Sequence, residues 1–132
     1  MPRLRRKRAF IIGPVREITD AEKKAIGAYV LRLEKQGYHV HWPLRDTHQS
    51  DPIGSQILNE NCWEIERADE IHIWWNKNSE GSHFDLGIAF GMRYGTVHTG
   101  KKKFVLINRE SVLPTKCKSF ENALLWLTEP DA

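Results

Sequence analysis

The chain has 132 residues, 40% of them hydrophobic and 28% charged, with a formal net charge of +3; this is the range of one water-soluble folded domain and leaves no room for a second. No apolar run approaches the roughly eighteen residues that span a bilayer, which excludes a transmembrane protein. The two cysteines, Cys62 and Cys117, have neither CxxC spacing nor a histidine partner, which excludes a zinc site and a disulfide framework.

Residues 1–8 hold Arg3, Arg5, Arg6, Lys7 and Arg8, so the positive charge reads as a basic tail, with residues 9–132 as one α/β domain of slightly acidic balance. No apolar stretch of signal-peptide type follows the tail, and the expectation is a cytoplasmic protein with reduced thiols. No aromatic interleaving or binding motif accompanies it, so nucleic-acid binding is not expected.

Ala9-Phe10-Ile11-Ile12 is a short apolar run closed by Gly13-Pro14, the pattern of a buried strand ending in a sharp loop. Thr19 and Glu22 form a capping box, and Ile26, Tyr29, Val30 and Leu33 recur at helical spacing, which predicts a helix over 20–36 that Gly37 stops. Tyr38 to Trp42 alternates as a second strand, and a long loop runs on through Pro52. Ile57, Leu58, Cys62 and Ile65 share one face of a helix over 54–67, and Ile71 to Trp75 is the third strand. A helix over 83–94 follows, then a turn at Lys101-Lys102-Lys103, a strand at Phe104 to Asn108, and a closing helix marked by Phe120, Ala123, Leu124 and Leu127 and capped by Ser119. Strict β-α alternation predicts a Rossmann or flavodoxin-like three-layer fold, with a mostly parallel sheet of four to five strands and ligands at the strands' carboxyl ends.

The loop Ser79-Glu80-Gly81-Ser82-His83-Phe84-Asp85-Leu86-Gly87 is the most informative stretch. It joins a strand to a helix start with a carboxylate in the expected first turn, where the helix dipole would keep that carboxylate ionised and able to act as a nucleophile. Ser82 with Asp85 also reads as an N-cap and its capping-box partner, a purely structural device.

With Phe10 to Arg16 at the first strand, Ala68-Asp69 before the third, and Gly81 to Gly87 with Ala89 beyond, the chain resembles the nucleoside 2-deoxyribosyltransferase superfamily over residues 9–108. In length it is similar to the branch of 2'-deoxynucleoside 5'-phosphate N-hydrolases. The resemblance implies cleavage or exchange of the N-glycosidic bond of a nucleoside or its 5'-monophosphate, without a metal or cofactor, in a homo-oligomer. It puts Asp85 in the place of the glutamate that attacks the sugar, and Asn61, twenty-four residues earlier, in the place of an aspartate that assists. Arg16 and Ser79 would hold a phosphate, Gly13 and Gly81 would let the backbone approach the substrate, and Phe10 with Trp42 or Trp75 would contact sugar and base.

The departures bear on the chemistry. Aspartate is one methylene shorter than glutamate, and a displacement of about 1 Å at a reacting group costs on the order of a hundredfold in rate. Asn61 cannot trade a proton, a loss worth roughly 10² to 10⁴. Pro14 stands where that branch has a serine and removes a hydroxyl and an amide donor. Asp46, His48 and Asp51 in the long loop are candidates to supply the proton. Each site residue also has a structural reading: Arg16 a surface charge, Ser79 a loop hydroxyl, His83 a helix-start residue, Phe10 and Trp42 core aromatics. Trp74 and Trp75 point to opposite faces, so at most one can meet a base. Trp63, on the outer side of its helix, is a candidate interface anchor. The competing function is a catalytically impaired nucleotide-binding or sensing protein of the same fold.

Overall fold

The structure, a computed structural model, describes residues 5–93 and 101–129; Arg3 and position 94 of the expected third helix lie outside them. Four strands, β1 (Arg8–Ile12), β2 (His39–His41), β3 (Glu70–Ile73) and β4 (Lys103–Leu106), make one sheet in the order β2-β1-β3-β4. All its pairings are parallel, with Phe10 opposite His41 on one side and Ile71 on the other. The chain leaves β1 for β2 at one edge and returns to β3 on the opposite side, so the switch point of the sheet lies between β1 and β3, where crossover loops diverge and open a crevice.

Helix α1 (Asp20–Lys35) starts at the expected capping box, with the Glu22 amide donating to Thr19 Oγ1 at 3.1 Å. It packs Ile26, Val30 and Leu33 on Ala9 and Ile11 of the sheet. Gly37, at φ 96, supplies the left-handed turn after it. The opposite face carries α3 (Ser55–Arg67), α4 (Glu80–Gly91) and α5 (Phe120–Leu127) around Phe10, Ile12, Ile71, Ile73 and Phe104. Alternate residues of β1 feed the two cores, as period-two geometry requires, and each fully buried isoleucine contributes about 2 kcal/mol. The long loop after β2 begins with a short helix, α2 (Pro43–Asp46), that its proline-led sequence did not announce. Among the described residues no helix is long and apolar enough to cross a membrane.

Charge closes the amino-terminal end of the sheet. Arg5 donates twice to the Asp69 carboxylate, at 3.1 and 2.7 Å, and the Arg8 amide donates to Asp69 Oδ2 at 2.9 Å. Lys7 stands 3.6 Å from Glu70. Lys102 is buried, and its ammonium donates to the carbonyls of Glu66 and Ala68 at 2.8 and 2.7 Å, groups that the end of α3 leaves unpaired.

Candidate active site

Gly13 and Pro14 after β1, Asn76 to Gly81 after β3, and the cleft-facing side of α3 enclose a cleft of about 710 Å³ at the switch point. Asp85 lies at its floor, 8% exposed. The capping residue of α4 is Ser79, whose hydroxyl accepts from the Ser82 amide at 3.3 Å, and not Ser82 as the pattern suggested. The helix therefore starts earlier than expected and Asp85 falls in its second turn, beyond the reach of the dipole's strongest field.

Burial dominates the electrostatics at Asp85. Desolvation raises its carboxyl to about 7, opposed only by a hydrogen bond from Asn61. The expectation of a carboxylate held ionised by the helix terminus is thus corrected: the group titrates near neutrality. The Asn61 donor is long, with Nδ2 3.4 Å from Asp85 Oδ2, which accounts for its weak opposition to burial.

The apolar face read for α3 is only partly its buried face. Asn61 is its most buried polar residue, at 6%, while Leu58 is exposed on the cleft wall. Asn61 is held from behind by Thr47, whose hydroxyl donates to Asn61 Oδ1 at 2.8 Å, and Thr47 Oγ1 lies 2.7 Å from His41 Nε2.

The cleft also gathers Gly13, Arg16, Ser79 and Gly81. Arg16 is exposed, and the Ser79 hydroxyl is engaged with Ser82 Oγ at 2.8 Å. The aromatic expectations are corrected. Phe10 is fully buried and stacked on the His41 ring at 5.5 Å. Trp42 packs in the α1 core, and Trp75 packs in the other core with Nε1 donating to Glu121 at 2.8 Å; none of the three lines the cleft. Trp74 and Trp75 do go to opposite faces. Phe84, half exposed, is the aromatic on the cleft wall.

The candidate proton donors of the long loop are occupied elsewhere. Asp46 accepts from the Trp42 amide and from Arg45, Asp51 accepts from the amides of Gln56 and Ile57 at the start of α3, and His48 pairs with Ser50. His83 Nδ1 lies 2.7 Å from the Ser79 carbonyl, which only accepts, so that nitrogen carries a proton and is no base. A cleft residue that sequence reasoning assigned to capping alone is Glu22. Burial works to raise its pKa, but donors from Thr19, Trp74 and Asn76 prevail and lower it, so it stays ionised on the wall. Its capping-box signature masked this second role.

No protein-family model matches the chain, and no curated protein matches it in sequence. Among solved structures, the CMP N-glycosidase BcmB of Clostridium botulinum superposes with a TM-score of 0.59 at 21% identity, over 92% of this chain and 83% of that one. The chain shares the fold of that protein. The 2-desoxiribosyltransferase of Leishmania mexicana superposes with a TM-score of 0.53 at 17% identity, over 76% of this chain and 64% of the other. The single-domain Rossmann-like architecture expected from the β-α alternation is the one observed, with a sheet that is parallel throughout its described strands.

Proposed function

We propose that the cleft takes a (deoxy)nucleoside or nucleoside 5'-monophosphate and that Asp85 cleaves its N-glycosidic bond. The observation that carries this reading is a desolvated carboxyl at the floor of a cleft of about 710 Å³, in a fold shared with an N-glycosidase and a deoxyribosyltransferase. Asp85 Oδ attacks the anomeric carbon, the carbon–nitrogen bond breaks with its electron pair going to the base, and the base takes a proton from water. Water or a second base then attacks the same carbon and frees Asp85, giving hydrolysis or exchange. Asn61 steadies the carboxylate. With a midpoint at about 7, about half of the molecules are competent at neutral pH, and turnover rises as pH passes through that value.

Arg16 and the backbone at Gly13 and Gly81 face the sugar's 5' end. Glu17, Glu22 and Glu80 share the wall with Arg16, and this acidic balance favours the unphosphorylated nucleoside. A homo-oligomer belongs to the same proposal, with Trp63 exposed on α3 as its contact; sedimentation of wild type and Trp63→Ala reads it, and a monomer at every concentration removes it.

The test is a panel of nucleosides and 5'-monophosphates assayed for free base, with a second base added to detect exchange. Asp85→Ala and Asp85→Asn abolish release while circular dichroism stays native; full activity in both removes Asp85 from the chemistry. Binding without release from any member of the panel replaces catalysis with nucleotide sensing, the reading that Asn61 in an acid's place favours.

A further inference from the structure

We propose that His41 and Thr47 are positioning residues that set the orientation of the Asn61 amide, and through it whether the cleft sees Asp85 as carboxylate or as acid. The proposal rests on the reading of Asp85 as the reacting group. His41, Thr47, Asn61 and Asp85 are 8%, 4%, 6% and 8% exposed, so little water can replace a partner and donor arithmetic applies.

Thr47 owns one hydroxyl proton and gives it to Asn61 Oδ1. Its oxygen must then accept from His41 Nε2, 2.7 Å away, which places the ring proton on Nε2. With Oδ1 satisfied, the amide turns Nδ2 to Asp85. Donation runs one way, from imidazole to carboxylate, and favours the ionised acid, whose oxygens accept more strongly than those of a neutral carboxyl. The reverse polarity is equally self-consistent. Protonated Asp85 would donate to Asn61 Oδ1, Nδ2 to Thr47, and the Thr47 hydroxyl to His41 Nε2, leaving the ring proton on Nδ1, which faces Glu64 Oε2 at 3.8 Å. The two settings differ by a concerted reversal of three hydrogen bonds, and only the first leaves Asp85 a nucleophile.

The plane of the ring is held by its neighbour on β1. It is stacked on Phe10 with an interplanar angle of 9°, a contact set by the register of β1 and β2. The groups facing His41 are Glu64 and Glu60 of α3, Asp46 of α2 and His39 of its own strand, with Arg8 of β1 paired to Glu64 at 3.8 Å. Desolvation lowers the His41 pKa against the pull of the acids, so the ring is neutral at neutral pH and what changes is where its proton sits. Around Asp85, the cleft brings Glu80 of its own helix, Arg16 and Glu17 from the loop after β1, and Glu22 of α1.

The test needs no variant at first. Nitrogen-15 spectra of the His41 ring in the wild-type protein, taken alongside carbon-13 titration of the Asp85 carboxyl, show the proton of the neutral ring on Nε2 above the Asp85 midpoint and on Nδ1 below it, before the ring takes a second proton in acid, with the tautomer change and the carboxyl sharing one midpoint. A neutral ring that stays the Nε2 tautomer on both sides of the Asp85 midpoint, or whose tautomer changes independently of Asp85, overturns the proposal. In Thr47→Val the amide loses its donor and accepts from Asp85 instead, which raises the Asp85 midpoint by about one pH unit, roughly a tenfold loss of carboxylate below it; Thr47→Ser restores it. A folded Thr47→Val with an unmoved midpoint also overturns it, since a merely structural threonine would lower stability alone. If the carboxyl midpoint moves and the pH profile of base release does not follow, the relay stands and the catalytic reading of Asp85 fails.

Discussion

Replacing Asp85 by asparagine should stabilise this protein, and only on the alkaline side. The carboxyl ordinarily titrates at 3.8 and is raised to about 7 by burial, so between those values the folded state holds a proton that the unfolded state has released. Stability is then fully present below 3.8, falls as pH rises, and is lost by the time pH passes 7. A displacement of about 3 pH units corresponds to about 4 kcal/mol, a large share of the 5–15 kcal/mol that typically holds a domain together. Asparagine has nearly the same shape, is neutral throughout, and offers Asn61 Nδ2 an acceptor. Urea unfolding at pH 3.5 and pH 8 should give equal stabilities for wild type and Asp85→Asn in acid, and an advantage of about 4 kcal/mol for the variant in base, worth on the order of 10 °C in Tm. Coincident stability curves across the whole range would refute the argument, because they would mean that the carboxyl is as well solvated in the fold as out of it.

Glu70 has the opposite sign. The hydrogen bond from His72 at 2.8 Å outweighs burial, with Tyr38 and Lys7 adding to it, and the carboxyl is lowered from 4.5 to about 2. Its contribution is present above the unfolded value and lost as pH falls through the folded one, so acid unfolding of Glu70→Gln followed by circular dichroism should lack that limb. Lys102→Met leaves the Glu66 and Ala68 carbonyls unpaired and should lower stability by about 2 kcal/mol or more in urea titrations, with base release retained at permissive temperature. A Cβ on Gly81 meets nothing within 4 Å, so Gly81→Ala should gain up to about 1 kcal/mol of helix stability. Gly81 also lines the cleft, so the added methyl should weaken nucleoside binding by calorimetry; unchanged affinity would place the substrate away from the start of α4.

Local pattern carried much of this protein. The alternation of apolar runs and helical periods specified the α/β architecture, and short-range chemistry marked the ends: the box of Thr19 with Glu22, Gly37 after α1, and Ser119 before α5 each act within a few residues. The strand-loop-helix at residues 79–87 pointed to the site for the same reason, since backbone and carboxylate lie on one continuous segment. What the sequence could not contain was everything set by distance in space. The sequence pattern put the cap of α4 at Ser82, whereas the folded chain caps it at Ser79, and that shift moved Asp85 out of the first turn. Phe10, Trp42 and Trp75 were drawn into two cores because the sheet needed large apolar volume on both faces, leaving Phe84 on the cleft wall. Asn61 became the buried polar residue of α3, and Thr47 and His41 its hydrogen-bonded neighbours, only when β2 and the loop after it came to rest beside that helix. The ionisation of Asp85 follows from dielectric surroundings assembled by remote elements, which no spacing of residues along the chain encodes.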